Sequence, residues 1–469
     1  MKPESRRFGG TPLQYGDYSR SVTGMKKKVN PLPRNGQTAT EEIKNNNKGG
    51  QIFDKKLSRR EMLRLTGASG LGLLLGGGGV SGILAASGAT HQAPSALQAS
   101  REDIIPFYGS HQAGILTPAQ NFLCFASFDL TTSSIADVKK LLQSWTTAAA
   151  ALTTGTLIGD ANDHPNLPPS DTGEADGLTP SKCTITFGVG PALFDGRFGL
   201  ASKRPSTFAD LPAFAGDSLD PQWCGGDLCV QACADDLQVA FHAIRNLARI
   251  ARGTAVLRWT QEGFQRTGGA DPKGGTPRNL LGFKDGTGNP DVTDAAEMRE
   301  VVWCGSESPA WMNGGTYMAV RRVRLRIEVW DRSSLSDQEA TFGRHRKSGA
   351  PIGATDEFAK LNLEAADAAG KPVIPPNSHS ALAHGDGTVK MLRRSYSFSS
   401  GMDLTTGQLD AGLLFISFQK DLVKQFVSIQ KRLAKNDRLN EYMVHTGSAV
   451  FACLPGVREG GYIGEALLG

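Results

Sequence analysis

Between residues 122 and 264 the chain reads strand, helix, strand, strand, helix, strand, and few folds accept that order. FLCFASFDL (122–130) is apolar and aromatic, as a strand prefers. Ser134 to Ala151 then places Leu141, Leu142 and Trp145 on one side of a helix. KCTITFGVG (182–190) alternates in part, and DLCVQACA (227–234) is an apolar run suited to a buried strand. From about Asp236 to Arg252, Leu237, Ala240, Ile244, Leu247 and Ile250 recur at helical spacing, and TAVLRWTQEGF (254–264) returns as a strand. The second half repeats the tendency. VRRVRLRIEVWD (320–331) and DAGLLFISFQ (410–419) read as strands, Asp421 to Leu439 as a helix, and AVFACLP (449–455) closes the set. The expected class is α+β, with two tandem ferredoxin-like domains and antiparallel sheets, 101–265 and 266–469.

Charge divides the chain differently. Residues 1–64 hold 15 Lys/Arg against 6 Asp/Glu, 65–100 hold no charged side chain, and 101–469 hold 36 against 40. The formal +5 therefore belongs to the N-terminal segment, and the body lacks the basic footprint that nucleic acid requires. Ser58-Arg59-Arg60-Glu61-Met62-Leu63-Arg64 precedes LTGASGLGLLLGGGGVSGILAASGA, the pattern of a bacterial twin-arginine (Tat) export signal. A membrane helix is the alternative, since the run is about long enough to span. Its glycines lower helix propensity, and Ala86-Ser87-Gly88-Ala89 suits a signal peptidase. The expectation is a Tat signal and linker over 58–100 that is cleaved, after a polar, disordered extension over 1–57. The destination would be periplasmic, extracellular or cell-wall associated.

Seven cysteines scattered through so long a chain are no disulfide framework of the small secreted kind. Cys224, Cys229 and Cys233 have spacing that invites an iron–sulfur reading, but inside an apolar run core thiols are favoured. Residues 155–181 collect Asp160, Asp163, His164, Asp171, Glu174 and Asp176 amid Pro and Gly. They fit no calcium loop and read as a solvated surface segment.

The most informative segment is Arg278-Asn279-Leu280-Leu281-Gly282-Phe283-Lys284-Asp285-Gly286-Thr287-Gly288-Asn289-Pro290. Alone it is a Gly-rich turn with one carboxylate, and it lacks the Lys-Ser/Thr ending of a phosphate-binding loop. In company it says more. Gly282, Asp285 and Gly286 match the GxxDG signature of the dye-decolourising (DyP-type) haem peroxidases. PFYGSHQAGI (106–115), RVRLRIEVWDR (322–332), FGRHRKSGAPIG (342–353), NSH (377–379), MLRRSYSFSSG (391–401) and GLLFISFQKDL (412–422) follow in family order. The chain resembles that family over nearly all of 103–469, and most closely its Tat-exported branch linked to iron uptake.

The resemblance implies the dimeric α/β-barrel-like superfamily, one haem b per chain and an enzyme that oxidises a reductant with H2O2. Haem iron needs one axial ligand and an open opposite face. Of the histidines at 111, 164, 242, 345, 379, 384 and 445, the resemblance selects His379 as proximal ligand, with His384 as neighbour of the haem edge and competitor. It assigns proton transfer to Asp285 and charge stabilisation to Arg393. Aspartate stays ionised well into acid, so turnover is expected to be fastest under mildly acidic conditions. The backbone of Gly286, Thr287 and Gly288 would pass close to the haem. Asp421 is the expected acceptor for the second ring nitrogen of His379, with helix capping as the equal alternative. Arg394 is expected at the surface or in a salt bridge. Ser380-Ala381 departs from the family pattern, which has a larger apolar residue and then an arginine there. Dyes, phenols or ferrous iron are the implied reductants, with iron release from haem, an iron permease and a homo-oligomer as further expectations. A haem carrier without turnover would keep His379 but need neither Asp285 nor Arg393.

Overall fold

Alternation along the strands decides the layers. In β1 (Phe122–Leu130), Leu123 and Phe125 face one side while Cys124, Ala126 and Phe128 face the other, and both sides are buried. β3 (Leu228–Ala234) repeats this, with Cys229 and Cys233 opposite Leu228, Val230 and Ala232. A strand covered on both faces has no polar side to show, hence its apolar sequence. The first set joins Trp259, Tyr396, Phe418 and Phe451 in an inner core. The second packs beneath α1 (Ile135–Leu152) and α2 (Leu237–Ile250), capped by the side chains of Ser134 and Asp236. The computed structural model describes residues 103–160, 164–404 and 406–469. The extension, the twin-arginine segment and its linker lie outside these, as does Asp163. Among the described residues no helix is long and apolar enough to cross a membrane.

The remaining strands are β2 (Thr184–Val189), β4 (Ala255–Phe264), β5 (Thr316–Leu325), β6 (Leu392–Arg393), β7 (Tyr396–Met402), β8 (Leu409–Gln419) and β9 (Met443–Cys453). They form one nine-stranded sheet in the order β5-β9-β2-β3-β1-β4-β7-β8-β6, and β5 also pairs with β8, so the sheet closes on itself. The first half supplies β4-β1-β3-β2 and the second β9-β5-β8-β7. Each is the same antiparallel ferredoxin-like arrangement, as the sequence implied. Short seams join them, Phe264 opposite Ser397 on one side and Gly188–Val189 opposite Ala452–Cys453 on the other.

Three expectations change in detail. The alternation after residue 320 does not run on to 331. β5 starts at Thr316 and stops at Leu325, opposite the first residue of β9, and Ile327–Trp330 turn into a short helix. Beyond Leu325 no partner strand remains to hold an extended chain. The last strand begins at Met443, six residues before the apolar run. The helix expected over 421–439 opens as a π-type turn, Leu422–Val427, continues as Ser428–Asn436 and ends at Asp437.

The segment 155–181 is not simply solvated. Asp171 is buried, accepts from the backbone N–H groups of Ile158 and Gly173, and lies 3.4 Å from His242 on α2. Glu174 lies 2.9 Å from His242 Nδ1 and pairs with Arg245. Burial would raise its carboxyl, but hydrogen bonds from Thr172, His242 and Arg245 outweigh that and hold it at about 2. A carboxylate depressed in this way stabilises the fold above the ordinary carboxylate range, and the contribution fades as pH falls through about 2. Glu174→Gln should therefore cost about 1–2 kcal/mol at neutral pH. Urea unfolding midpoints should show the gap from wild type shrinking steadily toward pH 3. A gap independent of pH would exclude the ionised carboxylate as its source.

All seven cysteines are free, and only Cys224 escapes full burial. Burial pushes the Cys183 thiol up to about 12 and that of Cys304 to about 11, which suits packing and not ligation. Among the described residues no three or more His, Cys, Asp or Glu side chains gather as a metal-binding cluster.

Candidate functional site

A cavity of about 320 Å³ lies against the outer side of β5, β8 and β9. Val323, Leu325, Leu413, Phe415 and Met443 supply its strand wall, while Phe426, Ile429 and Leu433 face it from the helices. β5 can present apolar side chains to both sides because each is covered. His379, Asp285, Gly286, Thr287, Gly288, His384 and Arg393 all line this one cavity.

The helix α3 (Leu335–Phe342) ends on Gly343 with φ +74°. Across from it, α4 (His379–His384) begins at the candidate ligand. A side chain at Gly343 would set its Cβ 2.5 Å from Ser380 Oγ and 2.6 Å from Ser378 Oγ, so glycine lets this corner close on the segment that carries His379. His379 Nδ1 lies 2.6 Å from Asp437 Oδ2, which is fully buried. A carboxylate partner places the proton on Nδ1 and leaves Nε2 as the ring's lone-pair donor. Burial pulls His379 toward neutrality, but the charge and hydrogen bond of Asp437, with help from the Asp285 charge, raise it above its ordinary value. Asp437 Oδ1 also accepts from Leu439 N, which fixes the carboxylate from both oxygens.

Asp421 does not perform that task, which corrects the sequence expectation. Its Oδ1 accepts from Val423 N and Lys424 N, both at 2.9 Å, and it faces a different groove lined also by Glu297, Tyr317 and Lys424. Where β8 runs out, the chain turns and the carboxylate satisfies the first free amides of the next helical turn. The capping alternative holds.

On the other side, Arg393 Nη1 donates to Asp285 Oδ1 at 3.0 Å. Asn289 fixes the arginine three ways, accepting from its backbone N–H and Nε and donating to its carbonyl. Gly286 adopts φ +125°, a conformation side chains rarely accept, which allows the tight turn after Asp285. Thr287 Oγ1 donates to Glu357, which also pairs with Lys284. Asn289 was in the quoted motif but drew no role. Asp437 and Glu357 stood in no motif at all.

Arg394 is not a surface residue. It is buried just after β6 and donates to Thr117 O and Gln120 Oε1, partners that Arg393 does not share. Ser380, in place of the larger family residue, lines the cavity with a buried hydroxyl that has no partner. His384 sits at the far end of α4 on the same cavity.

Family models described as Dyp-type peroxidase, N-terminal and C-terminal, match residues 112–265 and 276–458. The chain is 42% identical over 423 residues to the deferrochelatases of Escherichia coli strain K12 and Shigella boydii serotype 4, covering 88% of this chain and 97% of each relative. Among solved structures, ferric DtpA from Streptomyces lividans superposes with a TM-score of 0.74 at 37% identity, over 80% of this chain and all of that one. A DyP-type peroxidase from Cellulomonas bogoriensis gives 0.71 at 39%, over 78% and 98%.

The cavity suits the haem these relatives imply. A flat tetrapyrrole needs apolar walls, one nitrogen donor and an open opposite face, and here an imidazole with its Nδ1 already held shares an apolar cavity with a carboxylate and a guanidinium. By sequence over most of its length, by fold and by the chemistry of this cavity, the chain belongs to the DyP-type peroxidases, a family of haem-dependent enzymes.

Proposed function

We propose that this peroxidase serves a bacterial iron-uptake system: exported by the Tat route, it uses H2O2 to oxidise an organic donor or ferrous iron, and it releases iron from haem. The name of its 42%-identical relatives, deferrochelatase, supports the last activity, and the twin arginines at 59–60 support the route. An iron permease would be its partner.

The carrying observation is that His379, backed by the buried Asp437, and the Asp285–Arg393 pair border one cavity. In this reading His379 would hold haem b through the ring nitrogen that Asp437 leaves free, Asp437 would keep the imidazole oriented, and His384 would border the haem edge. Haem iron supplies the redox chemistry that reduces peroxide to water. Asp285 uses Oδ2, the oxygen Arg393 leaves free, to take a proton from one peroxide oxygen and deliver it to the other. Arg393 donates hydrogen bonds to the oxygen on which charge develops, and Asn289 keeps it from swinging away. Gly286, Thr287 and Gly288 offer backbone where bulk would obstruct.

Haem-loaded protein should oxidise a phenol and ferrous iron with H2O2, and excess haem should yield iron-free protoporphyrin, visible by its fluorescence. Peroxide-dependent oxidation without protoporphyrin would remove iron release from the function. Haem binding without turnover of any donor would overturn the enzymatic reading.

A further inference from the structure

Behind Asp285 and Arg393 a second cleft, of about 520 Å³, opens to the surface. It shares Asn279, Asp285, Gly286, Thr287, Arg393 and Leu413 with the haem cavity, so the charged pair forms the partition between the two. A molecule in this cleft would touch the same residues that face the haem from the other side.

Two phenyl rings line it. Phe358 is 68% exposed, yet its loop is tied down. The preceding residue, Glu357, accepts from Thr287 Oγ1 at 2.9 Å, pairs with Lys284, and takes a bond from Arg344 Nη1 on its carbonyl. Thr287 and Lys284 belong to the turn that carries Asp285. The backbone that bears the exposed ring is thereby tied to the turn of the candidate proton carrier. Phe264, 38% exposed, is the last residue of β4 and sits at the seam opposite Ser397, where the strand fixes its direction. Two exposed rings in the lining of one cleft offer a ready contact for a flat ligand.

Charge selects the ligand further. Arg266, Arg278 and Arg393 line the cleft beside the buried Arg394; Asp271 pairs with Arg266 and Asp285 with Arg393, whereas Arg278 donates to the backbone carbonyls of Gly282, Arg346 and Lys347, so the lining carries an excess of positive charge. Such a lining disfavours a metal cation and favours an aromatic with a hydroxyl or an anionic group.

We propose that this cleft is the docking site for a planar aromatic reductant, a phenol or aromatic acid, with Phe358 and Phe264 as its specificity-determining residues. The inference rests on the reading that an organic donor is oxidised, and it excludes this cleft as the place where ferrous iron binds.

Two measurements on haem-loaded protein test it: calorimetric binding of benzoate, an aromatic anion chosen as a probe that is not turned over, and the ratio of kcat/KM for a phenol to that for ferrocyanide. Phe358→Ala, at an exposed position that leaves the core untouched, should weaken benzoate binding and lower the ratio by about tenfold, the size of one lost aromatic contact. Phe264→Ala should act in the same direction. Unchanged benzoate affinity and an unchanged ratio in both variants would overturn the docking site while leaving the organic-donor reading intact. Wild-type protein that consumes ferrocyanide but no phenol would instead sink the organic-donor reading.

Discussion

Asp285→Asn should lower kcat/KM for H2O2 by about two to four orders of magnitude with haem content unchanged. The substitution is nearly isosteric, and asparagine Oδ1 can still accept the bond from Arg393 Nη1, so the turn and the guanidinium should stay in place. What disappears is a basic oxygen able to receive a proton and give it back. Arg393 cannot substitute, because a guanidinium holds its proton at any working pH. Stopped-flow peroxide kinetics, with haem quantified in the same samples, would check this. A variant within about threefold of wild type would remove Asp285 from proton transfer.

The second large effect is expected on the opposite side of the cavity. Asp437→Asn should weaken haem retention or activity by about 10–100-fold, the usual consequence of removing a charged partner from a ligating imidazole. Haem transfer to an acceptor globin measures retention. A purely structural role is separated by titrating His379 in the haem-free protein by NMR. Asp437 holds that imidazole above its ordinary value, so the variant should move its titration downward. The sign for stability follows. A histidine raised by its partner stabilises the haem-free fold at low pH, and that contribution is lost as pH rises through the raised value. The variant should lack it. An unmoved titration would mean that the 2.6 Å contact carries no electrostatic coupling.

The sequence made some of this legible and hid the rest for physical reasons. Period-2 and period-3.6 patterns located both helices and all four strands of the first half, because each element there is capped or bounded by turn residues. Closure of the sheet was implied only by the family resemblance, since nothing local in Phe264 or Gly188 announces a partner more than a hundred residues away. Asp285, His379 and Arg393 were found through family motifs and do meet at one cavity. Asp437 was missed because the helix was extended to Leu439. Asn436-Asp437 are poor residues for a helix interior, and ending the helix there would have exposed the carboxylate as a candidate. The burial of Arg394 was not legible because an arginine is ordinarily solvated, whereas here backbone and glutamine oxygens take its hydrogen bonds.

Closure of the sheet has a consequence for a protein concentrated among its own copies. The long strands have neighbours on both sides except beside the two seams, where β4 meets β7 through one residue and β2 meets β9 through two, and the short β6 occupies β8 beyond the end of β7. Open rows of amide and carbonyl groups are what let one folded chain recruit another into ribbons. A ring that is open only beside its seams confines such stacking to the margins of β4, β7, β2 and β9, so recruitment of one copy by another through the backbone would have to begin there.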